Sequence, residues 1–199
     1  MNSQNPYHQL VQSHQTWVET QLHSDPNIFK ELAKGQSPPF LFIGCVDSRI
    51  PPNIMTQTGP GQILVHRNVA NLVRPDDTSL MATLEFGIFN LNIKHIIICG
   101  HTCCGGVTAA FEGITEGTIP KWVSPIRGLY LANQKDIDTV FHLKEDKINR
   151  LSELNIKNSM QIIRDLPQLQ NAFQSENPPI VHGWMFDIAS GQITEQPIS

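Results

Sequence analysis

The sequence predicts an α/β fold: a mainly parallel central β-sheet flanked by helices, with a hairpin-like edge near the C-terminal end. Three observations predict it. Short, almost wholly apolar runs rich in β-branched residues, Phe40-Leu41-Phe42-Ile43-Gly44 and His95-Ile96-Ile97-Ile98-Cys99, read as strands buried on both faces. Amphipathic helical stretches separate such runs, giving the order β-α-β-loop-α-β-α, which calls for parallel pairing with right-handed crossovers. Finally, Pro178-Pro179 introduces an apolar run over 180–188, and Ala189-Ser190-Gly191 turns the chain back into Gln192-Ile193-Thr194.

Taken in order, Tyr7, Leu10, Val11, His14, Trp17, Val18 and Leu22 recur at helical spacing up to Asp25-Pro26, where the residue before proline disfavours helix. Such a helix either packs on its own domain or embraces a partner subunit. A short helix is expected over 27–34, closed by Gly35. The first strand spans 39–45. Ile50-Pro51-Pro52 opens a short helix, because proline suits a first turn whose N–H groups lack partners anyway. Gly59-Pro60-Gly61 leads into a strand over 62–66. The loop over 74–79 caps a helix expected over 80–91, with Leu80, Leu84, Ile88 and Leu91 as its buried stripe and Met81 beside it. After the third strand a helix opens at Cys104 or Gly105. Helical spacing resumes from Pro120 (Trp122, Ile126, Leu129, Tyr130) and again at Leu151, Leu154, Ile156, Met160, Ile163 and Leu166. The polar, weakly periodic span 133–147 reads as a flexible connection.

The chain has 199 residues, 40% of them apolar and 16% charged, which suits one domain over 1–199 with a helical arm at about 5–35. Its net charge of -4 gives no reason to expect nucleic acid or an anionic membrane as partner. No apolar run approaches the roughly 20 residues that span a bilayer, and the N-terminus lacks the basic-then-apolar order of a secretory signal. Four cysteines sit in two short regions and do not spread as a disulfide framework, which points to a reducing compartment, the cytoplasm by default.

The chemistry gathers at two strand ends. Cys45-Val46-Asp47-Ser48-Arg49 follows the first, and Gly100-His101-Thr102-Cys103-Cys104-Gly105-Gly106 the other. In open α/β sheets, ligand sites form where strands end and helices begin. Two thiolates and a neutral imidazole cancel the charge of Zn²⁺ and leave a fourth position free, as catalytic zinc requires. A thiol at a helix N-terminus is further stabilised as thiolate. The same residues can also be read as buried packing, or Cys45 and Cys104 as a disulfide. Cys99 lies within an apolar strand and reads as core. Cys103 is ambiguous, since His-x-Cys and His-x-x-Cys are both present. Asp47 and Arg49 form either an ordinary ion pair or a device in which Arg49 keeps Asp47 ionised beside a metal.

Cys-x-Asp-Ser-Arg followed by Gly-His-x-x-Cys-Gly-Gly resembles the signature of the β-class carbonic anhydrases. The resemblance extends through residues 65–73, Leu84-Glu85-Phe86, the stretch 150–155 and His182-Gly183-Trp184-x-Phe186-Asp187, covering nearly the whole chain from about Phe29. It implies that fold and a zinc-dependent, reversible hydration of CO₂ to bicarbonate and a proton by a metal-bound hydroxide, with one Zn²⁺ per chain. It implies Cys45, His101 and Cys104 as zinc ligands, which makes Cys103 a neighbour, and Asp47 with Arg49 as the catalytic dyad. Asp47 is also a fourth ligand in a closed state. Gln36, Leu64, Val69 and Phe86 match positions of the substrate cleft. The family forms dimers, sometimes paired into tetramers, with the N-terminal helix reaching across to the partner. Phe42 and Phe186 stand where a bicarbonate-regulated subset has Trp and Tyr, which speaks against that regulation and for an open site near neutral pH. Alternatives are hydrolysis of a sulfur analogue of CO₂, or a non-catalytic zinc-binding or redox-sensing protein.

Overall fold

The computed structural model describes residues 5–197, and the chain divides into two compact units between Gln36 and Ser37. The N-terminal unit is helical. Helix α1 (Pro6–Ser24) starts at Asn5, whose side chain accepts from the Tyr7 amide at 2.9 Å, with Pro6 in the first turn. It stops at Asp25, just before Pro26. Helix α2 (Ile28–Leu32) follows, and Trp17 meets Phe29 edge-on. No residue of α1 is buried.

The second unit is built on a five-stranded sheet of order β2-β1-β3-β4-β5. Strands β1 (Phe40–Cys45), β2 (Ile63–Asn68), β3 (His95–His101) and β4 (Ile180–Phe186) are parallel, while β5 (Ile193–Gln196) pairs antiparallel with β4. The chain leaves β1 for β2 on one side and returns with β3 on the other. The crevice beyond the ends of β1 and β3 is therefore the switch point of the sheet, the place such folds offer to a ligand. Pairing of Gly44 with Cys99 brings Cys45 and His101 to that same edge.

Helices α3 (Pro52–Met55), α4 (Thr78–Glu85), α5 (Gly105–Glu112), α6 (Ile119–Trp122), α7 (Ser124–Val140), α8 (Lys144–Asp165) and α9 (Gln170–Phe173) complete the unit. One sheet face (Leu41, Ile43, Ile96, Ile98, Val181) packs on α4 and α8 through Leu80, Leu84, Ile156, Met160 and Ile163. Each such fully buried Leu or Ile contributes roughly 1.5–3 kcal/mol. Gly183 makes this approach possible, since a Cβ there would lie 2.5 Å from the Met160 sulfur. The opposite face carries Phe42, Ile97, Cys99 and Phe186 under Ile50.

The structure departs from the sequence expectations in three places. Residues 133–147 are not a flexible connection: α7 runs through Val140 and α8 starts at Lys144. Buried Ile137 anchors the polar end of α7, and Lys147 of α8 clasps Asp138 at 2.8 Å. The helix expected over 80–91 starts at Thr78, capped by Asp77, and after Glu85 widens into a π-turn over Phe86–Asn90. Strand β3 extends two residues beyond the apolar run, so His101 is a strand residue.

Candidate metal centre

Cys45 is the last residue of β1, His101 the last of β3, and Cys104 the N-cap of α5. Three different elements thus deliver three donors, whose ligating atoms all lie within 4.8 Å of one another. All three residues are buried. The two sulfurs are 3.9 Å apart and both thiols are free, so the disulfide reading is excluded. A hydrogen bond from Cys104 pulls Cys45 down to about 4, with the Ala70 amide (3.4 Å) helping against burial. Cys104 is driven well above the ordinary thiol range by its bond to Cys45 and by burial.

His101 is oriented by its own neighbour. Its Nδ1 lies 2.8 Å from the Thr102 carbonyl, which can only accept, so the proton is on Nδ1 and the Nε2 lone pair points into the group. That Nε2 is fully buried with no hydrogen-bond partner. An orphaned polar atom of this kind costs about 1–3 kcal/mol. A soft, divalent cation satisfies it, together with the thiolate and a thiol ready to lose its proton. The donor set therefore fits a metal.

Asp47 stands beside the three donors without joining them. Arg49 grips it with Nε to Oδ1 (2.9 Å) and Nη2 to Oδ2 (2.6 Å), and the Arg49 amide adds a third bond to Oδ1 (3.0 Å). Its Oδ2 remains 3.9 Å from His101 Nε2. These bonds, that of the Arg49 side chain first, hold the carboxyl far below the usual carboxylate range. Arg49 is half exposed, so the pair adds little stability; what it fixes is the direction of the carboxylate. Arg67 supports the same loop from beneath, donating to the carbonyls of Cys45 (2.8 Å) and Asp47 (2.5 Å).

Cys103 points elsewhere. With φ at 55° it sits in the left-handed region, and its exposed thiol donates to Glu145 Oε1 at 3.2 Å. That contact pushes the thiol upward. Of the expected cleft residues, Val69 packs in the apolar cluster that contains Cys45 and Cys104, and Leu64 against the cluster under α4 and α8. Phe86 is 44% exposed, and Gln36 closes the N-terminal unit. A surface depression of about 370 Å³, lined by Arg74, Asp77, Lys121 and Trp122 among others, contains none of the donors.

A family model described as carbonic anhydrase matches residues 40–193. A carbonic anhydrase of Emericella nidulans is 37% identical over 186 residues, covering 94% of this chain and 81% of its own length. Among solved structures, a tetrameric β-carbonic anhydrase of Sordaria macrospora superposes with a TM-score of 0.91 at 33% identity, over 96% of this chain and 97% of that one. The chain belongs to the β-class carbonic anhydrases. A β-carbonic anhydrase of Coccomyxa, solved with acetazolamide, matches at TM-score 0.86 and 31% identity over 94% of this chain and 84% of that one.

Two features of this carbonic anhydrase escaped the sequence reading. After β2, Val69–Asn71 forms a tight turn in which Ala70 (φ 65°) and Asn71 (φ 44°) are both left-handed, although neither is glycine. Such residues cost on the order of 1–3 kcal/mol each and persist only where surroundings impose them. Nothing local announces an alanine there. The other feature is Asn155, buried on α8 and donating to the Ala70 carbonyl at 2.9 Å. Its signal was a polar residue that interrupts the buried stripe of an amphipathic helix, as Ser152 and Ser159 also do.

Proposed function

We propose that this carbonic anhydrase hydrates CO₂ reversibly to bicarbonate and a proton at one zinc ion per chain, held by Cys45, His101 and Cys104, with Asp47 and Arg49 beside it. The observation that carries the reading is the buried, partnerless His101 Nε2 close to two buried sulfurs that lie 3.9 Å apart. Zinc bound there supplies a Lewis acid that lowers the pKa of a water molecule, so that hydroxide is available near neutral pH. The chain's own residues do the rest. Cys45 and Cys104 offset the metal's charge, and Thr102 holds His101 in the tautomer that can ligate. Arg49 keeps Asp47 ionised and turned so that one carboxylate oxygen accepts a hydrogen bond from the nucleophile and orients it. While Arg49 holds Asp47, the carboxylate would stay off a bound metal and leave a position there for water. Val69, Leu64 and Phe86 supply apolar wall for CO₂, and Gln36 a hydrogen bond in the cleft.

The arm over about 5–35 packs on a partner subunit, and the working form is at least a dimer. Support comes from α1, which buries none of its residues while Tyr7, Leu10, Val11, Trp17 and Leu22 are all exposed. The Sordaria macrospora relative is tetrameric. The compartment is the cytoplasm, where free thiols such as Cys45 and Cys104 stay reduced. Among the described residues no helix is long and apolar enough to cross a membrane.

Metal analysis of the purified protein alongside stopped-flow CO₂ hydration tests the proposal. One zinc per chain, and hydration that vanishes on chelation and returns with zinc, is expected. Hydration unaffected by complete removal of zinc would overturn it.

A further inference from the structure

We infer that Asn155 and Trp122 are positioning residues: through the left-handed turn Val69–Asn71 they aim the Ala70 amide at the Cys45 sulfur, and so set how strongly that sulfur donates to a bound metal. The inference rests on the zinc reading above and adds residues to which that reading gives no role.

The geometry is a chain of hydrogen bonds that ends on a ligand. The Val69 carbonyl accepts from Trp122 Nε1 of α6 at 2.8 Å, and the Ala70 carbonyl from Asn155 Nδ2 of α8 at 2.9 Å. At either end of the turn, the Asn68 side chain accepts from the Leu72 amide and donates to its carbonyl, both at 2.8 Å. The turn so clamped presents the Ala70 N–H to Cys45 Sγ at 3.4 Å. Gly106, in the first turn of α5, leaves the space the turn needs, since a Cβ there would come within 2.9 Å of Ala70 Cβ and 2.7 Å of Val69.

Two non-glycine residues in the left-handed region are strained, and a buried asparagine among the apolar residues of α8 is unfavourable without a partner. Both are explained if the turn's purpose is the direction of one amide. An N–H bonded to a thiolate withdraws charge from it, so the sulfur donates less and the metal remains the stronger Lewis acid. This is how groups behind the ligands tune metal sites generally. A turn that merely linked β2 to the next loop would need no such aim.

Cobalt(II)-substituted full-length protein tests this, because the sulfur-to-cobalt charge-transfer band reads the electron richness of the thiolates directly. Asn155→Leu keeps roughly the volume of the side chain and removes the donor without adding a charge. It should move the band to lower energy, as a more electron-rich sulfur requires. Trp122→Phe, which keeps the aromatic bulk, should shift the band the same way by less. Ser159→Ala, equally buried on α8 but without a bond to the turn, should leave the band in place. A wild-type band in Asn155→Leu would overturn the inference. Should that variant fail to fold, an unshifted band in Trp122→Phe does the same. Absence of any sulfur-to-cobalt band in the unaltered protein would instead overturn the zinc reading, and this inference with it.

Discussion

The ends of β1 and β3 and the N-terminal unit stand at opposite extremes of self-sufficiency. At the strand ends every donor is fixed by its own chain: Cys45 by the strand and the Ala70 amide, His101 by Thr102, Cys104 by the start of α5, Asp47 by Arg49. Helix α1 carries an apolar stripe, yet it buries no residue, whereas α8 buries eight. Apolar spacing declares that a helix has a face to cover, and says nothing of what covers it. On the proposed reading, the contrast separates two properties of this carbonic anhydrase: metal binding would belong to the single chain, and completion of the cleft to an assembly.

The largest expected effects test the self-sufficient half. Cys45→Ser, His101→Ala and Cys104→Ser should each lose zinc and reduce hydration by more than about 100-fold, since removing a ligand must exceed the penalty for disturbing a group behind one. Cys103→Ser should keep zinc, and activity within about twofold, as exposed positions generally do. Zinc analysis and stopped-flow hydration check both. Loss of metal in Cys103→Ser with retention in Cys104→Ser would break the assignment.

Next comes Arg49→Ala. Without the guanidinium, Asp47 is free to turn onto the metal. Hydration should fall by roughly 10²–10⁴-fold, the usual worth of a positioned proton acceptor, while zinc stays at one per chain. Loss of zinc in this variant would mean that Arg49 holds the fold of the site and not the direction of Asp47.

The dependent half is tested by charge on the arm. Leu10→Glu with Trp17→Glu should shift sedimentation toward the monomer and lower hydration by about tenfold or more, with one zinc per chain retained. An unchanged oligomer would remove the argument that this face meets a partner. A fully active monomer would move the cleft into the single chain.

These contrasts also mark what the sequence discloses. Phe40 to Gly44 and His95 to Cys99 announce buried strands because parallel strands are apolar on both faces, and the motifs behind them therefore land at one edge. Proline and glycine punctuation gives the hairpin at 189–191, where the Gly191 amide returns to the Asp187 carbonyl at 2.8 Å. What stays hidden depends on distant contacts. The end of α7 is polar and held by Ile137 and Lys147, the latter from the next helix. The left-handed Ala70 is imposed by Asn155, which follows it by 85 residues, and by Trp122. Local periodicity reports burial within one element; it cannot report a clamp assembled from three.

The smallest effect is acid sensitivity of the sheet's far end. His182 is held below its ordinary 6.5, mainly by burial, with His95 lowering it further and Glu195 opposing. His66 is lowered likewise by burial, against Asp77. Groups depressed in the folded state bind fewer protons there than in the unfolded chain. Their contribution is complete above about pH 6.5 and is lost as pH falls through the folded values. His95 Nδ1 and His182 Nε2 also face each other at 3.1 Å, where only one can carry the proton. Thermal unfolding should therefore weaken by a few degrees between pH 7 and 5, and His182→Gln should flatten the decline. An equally steep decline in that variant would place the acid-sensitive group elsewhere.

The most direct measurement of the central claim is zinc K-edge X-ray absorption on the purified protein at about pH 8. Two sulfurs at about 2.3 Å and two lighter atoms near 2.0 Å, one of them an imidazole nitrogen, are expected. A shell of three sulfurs, bringing Cys103 onto the metal, or of fewer than two, would contradict it.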